Sequence, residues 1–383
     1  MRFLLFYGAI ESLRHFTDEL CGQIRQQGHE AHIITLNTSW REQLEPVIKQ
    51  KVDAAICYDG IGMDPIDNLY DELDIPVINI LVDHPMDMAF RIRKHPRKYI
   101  QFSPDEHHIT YAKRFLGVEN AFFLPHMASL ERKPQRIPIE EKSIPLLMPG
   151  SMFPCNDLYQ KIKEQWQDEK VQLLVLGTME YLIDHPDLTM EDALQIYAAD
   201  HGMWLPDESI AALMENSRDA DLFVRMYFRS RVVSLIASSG LPLTLIGDGW
   251  GSLAAVRRNN VTILPGHTFA GIFPYMEQAK ITLTIMPWFK AGSHERIFNS
   301  LMHYSCPLTD ENSWLLEHFT PDEECVYYSL KHPDQLPDKV CSLLDHPEKT
   351  ERIVHNGREK VLEHYTSKQI LESIIQHLKE CYG

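Results

Sequence analysis

The chain has 383 residues, 44% apolar and 24% charged, enough to bury full cores in two or three domains and to exclude wholesale disorder. Lys and Arg number 37 against 54 Asp and Glu, a formal charge of −17 that argues against sequence-independent binding to nucleic acid. That balance still permits a local basic pocket for a nucleoside diphosphate.

No apolar run approaches the roughly 18–20 residues that a membrane helix needs. The opening MRFLLFYGAI is apolar but short, and Glu11, Arg14 and His15 follow at once. It reads as a buried first strand rather than a signal peptide. The 7 cysteines are scattered, with no CxxC and no zinc spacing, which suits reduced thiols and a cytoplasmic location.

The first half alternates strands and helices. Phe3 to Phe6 is an apolar strand, followed by Gly8. Glu11 to Gln27 is an amphipathic helix, with Leu13, Phe16, Leu20 and Ile24 at spacings of three and four, and Gly28 stops it. Strands follow at Ala31 to Leu36, Ala54 to Tyr58, Val77 to Val82, Tyr99 to Phe102 and Ala121 to Leu124. Helices fall at Arg41 to Gln50, Asp67 to Leu73 and Pro104 to Leu116. Such alternation implies a mainly parallel sheet covered on both faces.

Residues 129–144 are polar and contain Pro, so they read as a linker. A new strand begins at Pro145 and ends at Met148-Pro149-Gly150-Ser151. Residues 155–240 carry mostly helical patterns, and Val171 to Leu176 fits helix or strand. The βα rhythm then returns, with strands at Leu243 to Ile246, Thr262 to Leu264, Ile281 to Ile285 and Pro307 to Thr309. Helical patterns at 334–344, 347–364 and 367–382 finish the chain. The fold class is α/β, in two halves, the second with a helical insertion at about 155–240.

In open parallel sheets, ligands bind beyond the carboxyl ends of the strands. Five such ends carry polar or glycine residues. Gly8 permits close backbone approach, or simply a βα turn. Asp83-His84 lies where a general base would sit, or else Asp83 caps a turn and His84 is solvated. Gly247-Asp248-Gly249-Trp250 and Gly266-His267 form tight turns. The fifth end is the loop Met286 to Gly292, after which Ser293-His294-Glu295-Arg296 opens a helix with the apolar face Ile297, Phe298, Leu301 and Met302. Ser293 is the expected N-cap, and the helix N-terminus with His294 and Arg296 is a site for a diphosphate. The next strand ends in Asp310 and Glu311. His107-His108 lies on a predicted helix, and no HExxH or other compact set occurs, so no metal ligands are assigned.

The segment GSHERIFNSLMHYSCPLTDENSWLLEHF, residues 292–319, resembles the donor-site segment of GT-B fold glycosyltransferases. It is most similar to the spore-maturation (CgeB-like) group, whose pattern His294, Arg296, Phe298, Leu308, Thr309 and Asp310 carry here. The IGDGW turn at 246–250, LPH at 124–126 and the tail at 346–366 agree with it. The family's usual Glu is replaced by Asn299, which keeps hydrogen-bonding capacity without the charge. The resemblance implies a metal-independent glycosyltransferase of the hexosyl or related type, needing no cofactor beyond its nucleotide-sugar substrate. It implies the GT-B architecture of two Rossmann-like parallel-sheet domains facing a cleft: an acceptor domain at 1–135, a nucleotide-sugar donor domain at 145–366, and a last helix at 367–383 that packs back on the first domain. Gly8, Gly150, Gly247, Asp248, Gly249, Trp250, Gly266, His267, Ser293, His294, Glu295, Arg296, Asn299, Asp310 and Glu311 would bind the donor. Arg296 would stabilise the leaving diphosphate; if the reaction inverts the anomeric centre, Asp83 or His84 would deprotonate a protein, glycan or metabolite acceptor, and if it retains configuration the leaving phosphate would take that role. The alternatives are a non-catalytic partner subunit of another transferase, favoured by Asn299, and a nucleotide-sugar epimerase.

Overall fold

Runs such as Phe3 to Phe6 and Ala54 to Tyr58 are apolar at every position, as strands covered by helices on both faces must be. In the computed structural model, which describes residues 1–63, 67–129 and 133–383, such runs form two six-stranded parallel sheets. The chain divides into two compact units, Met1–Lys133 with Leu362–Gly383, and Pro134–Val361.

The first unit runs β1 (Arg2–Tyr7), α1 (Glu11–Gln26), β2 (Glu30–Thr35), α2 (Trp40–Ile48), β3 (Ala54–Tyr58), α3 (Asp67–Glu72), β4 (Val77–Ile80), α4 (Ala89–Ile92), β5 (Tyr99–Ser103), α5 (Glu106–Leu116) and β6 (Ala121–Phe123). Its sheet order is β2-β1-β3-β4-β5-β6. Strand order therefore reverses between β1 and β3. Asp105 fixes the start of α5 by accepting a hydrogen bond from the His107 N–H at 2.8 Å.

The second unit begins with β7 (Ile144–Pro149). Five helices follow: α6 (Cys155–Gln165), α7 (Glu169–Asp184), α8 (Met190–Asp200), α9 (Asp207–Glu215) and α10 (Arg218–Ser239). The ambiguous run Val171 to Leu176 is inside α7, whose first N–H groups are capped by the Asp168 carboxylate. The unit continues with β8 (Leu243–Ile246), β9 (Val261–Leu264), α11 (Phe273–Gln278), β10 (Ala279–Thr284), α12 (Glu295–Met302), β11 (Cys306–Asp310), α13 (Ser313–His318), β12 (Val326–Tyr328), α14 (Leu336–Asp345) and α15 (Pro347–His364). Its sheet order is β12-β11-β10-β7-β8-β9, with Ile281 registered on Leu146 and Leu283 on Leu308. Here the order reverses between β10 and β7.

The final helix α16 (Ser367–Tyr382) belongs to the first unit, where the Ser367 hydroxyl donates to Glu19 and Tyr382 bonds the backbone of Tyr99. Of the expected linker, residues 130–132 lie outside the described residues. Its far end is anchored: Ile139 is buried, and the Lys142 ammonium donates to the Glu277 carbonyl at 2.7 Å. Burial pushes the Lys142 pKa down to about 8.

Among the described residues, no helix is long and apolar enough to cross a membrane.

Candidate functional site

The order reversal of the second sheet opens at the loops that leave β7 and β10, the location where parallel sheets bind ligands. The β7 loop is zipped to the β8 loop. Gly150 N–H donates to Ile246 C=O at 2.8 Å, Met152 N–H to Asp248 C=O at 2.8 Å, and Asp248 N–H to the Ser151 hydroxyl at 3.2 Å. Gly249 makes that approach possible. Its φ is +82°, and a Cβ there would overlap the Met152 carbonyl oxygen. Gly247 faces Gly150 in the same way, and a side chain at either position would separate the two loops.

Trp250 is corrected by the structure. The sequence offered it as a ligand contact, but its indole is buried in the core and its Nε1–H donates to the Gly150 carbonyl at 2.9 Å. A large apolar ring with one polar atom gains more from core packing than from solvent. Ser293 is also corrected. The side chain that caps α12 is His294, whose Nδ1 lies 3.2 Å from the Arg296 N–H, while Ser293 is fully buried before the helix. His294 Nδ1 also lies 2.6 Å from a Glu295 carboxylate oxygen. One ring nitrogen can serve only one of these partners at a time.

The charge at this crevice comes from arginines on two helices. Arg229 on α10 is 8% exposed, donates through Nη1 to the Ser151 carbonyl, and leaves its Nε with no partner. A Cβ on Gly150 would lie 3.6 Å from its guanidinium. Burial, and after it the neighbouring Arg296 and Arg225, lower the Arg229 pKa to about 9. Arg296, in the first turn of α12, is surrounded by protein yet keeps some solvent access, and its Nη1 has no partner. Burial also lowers its pKa, and Glu295 opposes the shift. Arg225, one turn before Arg229, pairs with Asp221 at 2.6 Å and lies 4.4 Å from the centre of the Trp288 ring.

Sequence reasoning found Arg296 and missed Arg225 and Arg229. The signal was present. Arg229 sits on the helix face that also carries Val232, Val233 and Ile236, where a charge has no structural reason to be.

The loop after β10 is held by Asp310, the last residue of β11, which accepts the Met286 N–H at 2.9 Å. Burial pushes the Asp310 carboxyl up to about 6. Glu311 is exposed just beyond it. Asn299 is buried on α12 among Ile297, Phe298 and Leu301. Asp248 and His267 are exposed over the β8 and β9 ends. His267 bonds the Tyr275 hydroxyl at 3.0 Å, and the Gly266 N–H lies 3.5 Å from Asp248.

In the first unit, the order reversal opens at Gly8 after β1 and at Asp59 after β3. Sequence reasoning missed Asp59. It is buried, with φ at +49°, and accepts the Val82 N–H at 3.0 Å. Its carboxyl is pushed up by burial and then by Asp83. Asp83 is half-buried beside it. His84 is not solvated. Its Nδ1 caps the 3-10 turn Pro85–Met88 through the Met86 N–H at 3.1 Å, and its ring packs edge-on against His108 and Tyr111. A small apolar pocket lined by Tyr58, Ile80, Val82, Leu124 and His126 opens beside these strand ends.

No group of three or more His, Cys, Asp or Glu side chains among the described residues is arranged to hold a metal ion.

Residues 229–376 match a protein family described as glycosyl transferase-like. No curated protein matches the chain in sequence. Solved structures share its fold. Sucrose-phosphate synthase from Thermosynechococcus elongatus superposes with a TM-score of 0.60 at 8% identity, covering 100% of this chain and 99% of that one. An α-glucosyltransferase in complex with UDP and a 13-mer DNA gives 0.58 at 11% identity, covering 99% of each. Anabaena HepE in complex with UDP-glucose gives 0.56 at 9% identity, covering 99% and 100%. The chain therefore has the GT-B fold over its whole length, and residues 229–376 are similar to a glycosyl transferase-like family.

Proposed function

We propose that the chain transfers a glycosyl group from a nucleoside-diphosphate sugar bound in the second unit to an acceptor bound in the first. The carrying observation is the pair Arg229 and Arg296, two enclosed guanidiniums with unpartnered nitrogens at the order reversal of the second sheet. Burying like charges together is costly unless an anion joins them. A diphosphate is such an anion, and its charge grows as the glycosidic bond breaks. Arg229 and Arg296 would then favour the transition state over the ground state. The β7 and β8 loops would line the donor with backbone, and Asp310 would hold the loop after β10 in place. In the first unit, Asp83 is the residue open enough to take a proton from an acceptor hydroxyl, with Asp59 fixing its loop.

The UDP and UDP-glucose bound in two of the structural neighbours make uridine the first base to test. The experiment is calorimetric titration of the full chain with UDP, GDP, dTDP, CDP and ADP, repeated on Arg296→Ala. Binding of one nucleotide, weakened about 10- to 150-fold by the substitution, supports the reading, since a hydrogen bond to a charged group contributes about 1.5–3 kcal/mol. No binding by any nucleotide would sink it. Binding without donor consumption would instead favour the non-catalytic partner reading, which the Asn299 replacement motivates.

A further inference from the structure

We propose that Lys290 is a positioning residue, which fastens the loop carrying Arg296 to the turn between α7 and α8 and so sets the donor site from outside it. The inference rests on the donor reading above and gives the helical insertion a part in it. Residues 285–294 join β10 to α12. This loop is longer than the roughly 2–6 residues usual between a strand and a helix, so it needs anchors of its own. Arg296 is the second residue of α12, and its place depends on them. From β11 and the start of α13, Asp310 accepts the Met286 N–H, and the Asn312 side-chain amide donates to the Gly292 carbonyl at 3.0 Å. The insertion supplies a further hold. The half-buried Lys290 ammonium donates to the Pro186 carbonyl at 2.6 Å, and to the Pro287 carbonyl within its own loop.

Pro186 lies in the turn 185–189 between α7 and α8, and that turn is a firm post. Gly177 lets the two helices pack so closely that a Cβ there would overlap the Tyr197 ring. Thr189 caps α8 by accepting the Asp192 N–H at 3.2 Å. Asp187 pairs with Lys331 at 2.6 Å, which ties the turn to the chain after β12 as well. Pro186 itself is buried, so its carbonyl stays where these contacts put it.

A lysine beside a diphosphate site is ordinarily read as a phosphate ligand. Here two of its three N–H donors are committed to backbone carbonyls, one of them on the insertion. Lys290 therefore acts through the loop: it decides how much of the time Arg296 and the start of α12 are in place. Apparent affinity falls by the fraction of chains in the competent arrangement, so a loop in place about one tenth of the time would bind about tenfold more weakly.

The test joins amide hydrogen exchange of the free full chain to calorimetric titration with UDP, GDP, dTDP, CDP and ADP. K290M keeps an unbranched stem and removes the donors. It should raise exchange over residues 286–296 at least about tenfold, the loss of a hydrogen bond from a charged group, while β10 and β11 stay protected. It should weaken the nucleotide that binds the parent by about 3- to 30-fold. K290R keeps donors for both carbonyls and should bring both readouts to within about threefold of the parent. K331M frees the same turn from its exposed end and should raise loop exchange about twofold. K161M breaks the Lys161–Asp219 pair between α6 and α10 and should leave both readouts within about twofold. Melting temperatures check that each variant is folded, and K331M carries the test if K290M is not. Weaker binding with unchanged loop exchange would make Lys290 a direct phosphate ligand and overturn the proposal. So would faster exchange with unchanged affinity, or K290R as impaired as K290M. A parent that binds no nucleotide would overturn the donor reading and this role with it, whereas a parent that binds one, and K290M that binds it equally, would overturn this role alone.

Discussion

At the order reversal of the first sheet the chain leaves β1 at Gly8 and β3 at Asp59, and at that of the second it leaves β7 at Gly150 and β10 at Ile285. The backbone solution is the same, yet the chemistry is opposite. The first crevice gathers Asp59, Asp83 and Asp87, and the carboxyl of Asp59 is pushed up because burial and its neighbours both oppose ionisation. The second gathers Arg225, Arg229 and Arg296, and the Arg229 pKa falls to about 9 for the mirror-image reason. The parallel sheet dictates where a ligand can sit. The side chains at the strand ends dictate its charge. A carboxylate crevice suits a group that gives up a proton, and a guanidinium crevice suits one that arrives as an anion.

The second crevice depends on two loops touching, so the largest effect should come from prising them apart. Gly249→Ala puts a Cβ against the Met152 carbonyl at φ +82° and should cost several kcal/mol, with loss of nucleotide binding. Gly251→Ala, two residues on, meets nothing within 4 Å and should change stability by less than about 1 kcal/mol. Urea denaturation of both variants checks this. Equal stabilities would mean that the β7 and β8 loops are not clamped as described.

Asp310 offers a pH test of the same crevice. Its folded pKa of about 6 lies above the ordinary 3.8, so its contribution is fully present below about pH 4 and is lost as pH rises through 6. Asp310→Asn keeps an oxygen for the Met286 N–H and removes the titration. The stability of the variant relative to the parent should therefore grow by about 2 kcal/mol between pH 4 and pH 7. A flat difference across that window would show that the carboxyl is not held neutral by burial.

These residues also mark how far sequence could be read. Strands of buried apolar runs were legible because both faces are covered, so Ala54 to Tyr58 and Leu243 to Ile246 stand at the expected residues. The three-residue β12 was not, since Val326–Tyr328 is too short to show a period. The strand ends were legible as places, but roles were not. Trp250 looked like a ligand contact because it follows a GxG turn, and only packing reveals that its ring closes the core. Ser293 looked like a cap by residue type, whereas the backbone enters the helix one residue later and His294 takes that task. Arg229 is 67 residues before Arg296 in the chain, a separation that only the fold closes.

The arginines give the next effect in size. Arg296→Ala and Arg229→Met should each weaken nucleotide binding by about 1.5–3 kcal/mol. Arg229→Met should not lower the melting temperature of the free protein, because replacing an uncompensated buried charge with an apolar chain of similar length relieves desolvation. Calorimetric titration beside thermal melts separates the two readouts. A variant that loses stability while keeping affinity would make Arg229 a structural residue.

The smallest expected effect asks how far the cationic crevice extends across the second sheet. His267 follows β9, the edge strand, and β8 separates β9 from β7. At about 4.8 Å per strand, that sets it roughly 10 Å from the order reversal. It is exposed, and its one described hydrogen bond is to the Tyr275 hydroxyl. His267→Ala should therefore change nucleotide affinity by less than about 1 kcal/mol and stability by less than about 0.5 kcal/mol. If its loss instead matches that of Arg296→Ala, the nucleotide reaches over β8 and β9 rather than staying at the reversal. The turn Gly266-His267 would then contact the ligand directly, and the comparison between the crevices would have to include the sheet edge. Titration of the variant with the nucleotide that binds the parent decides between the two.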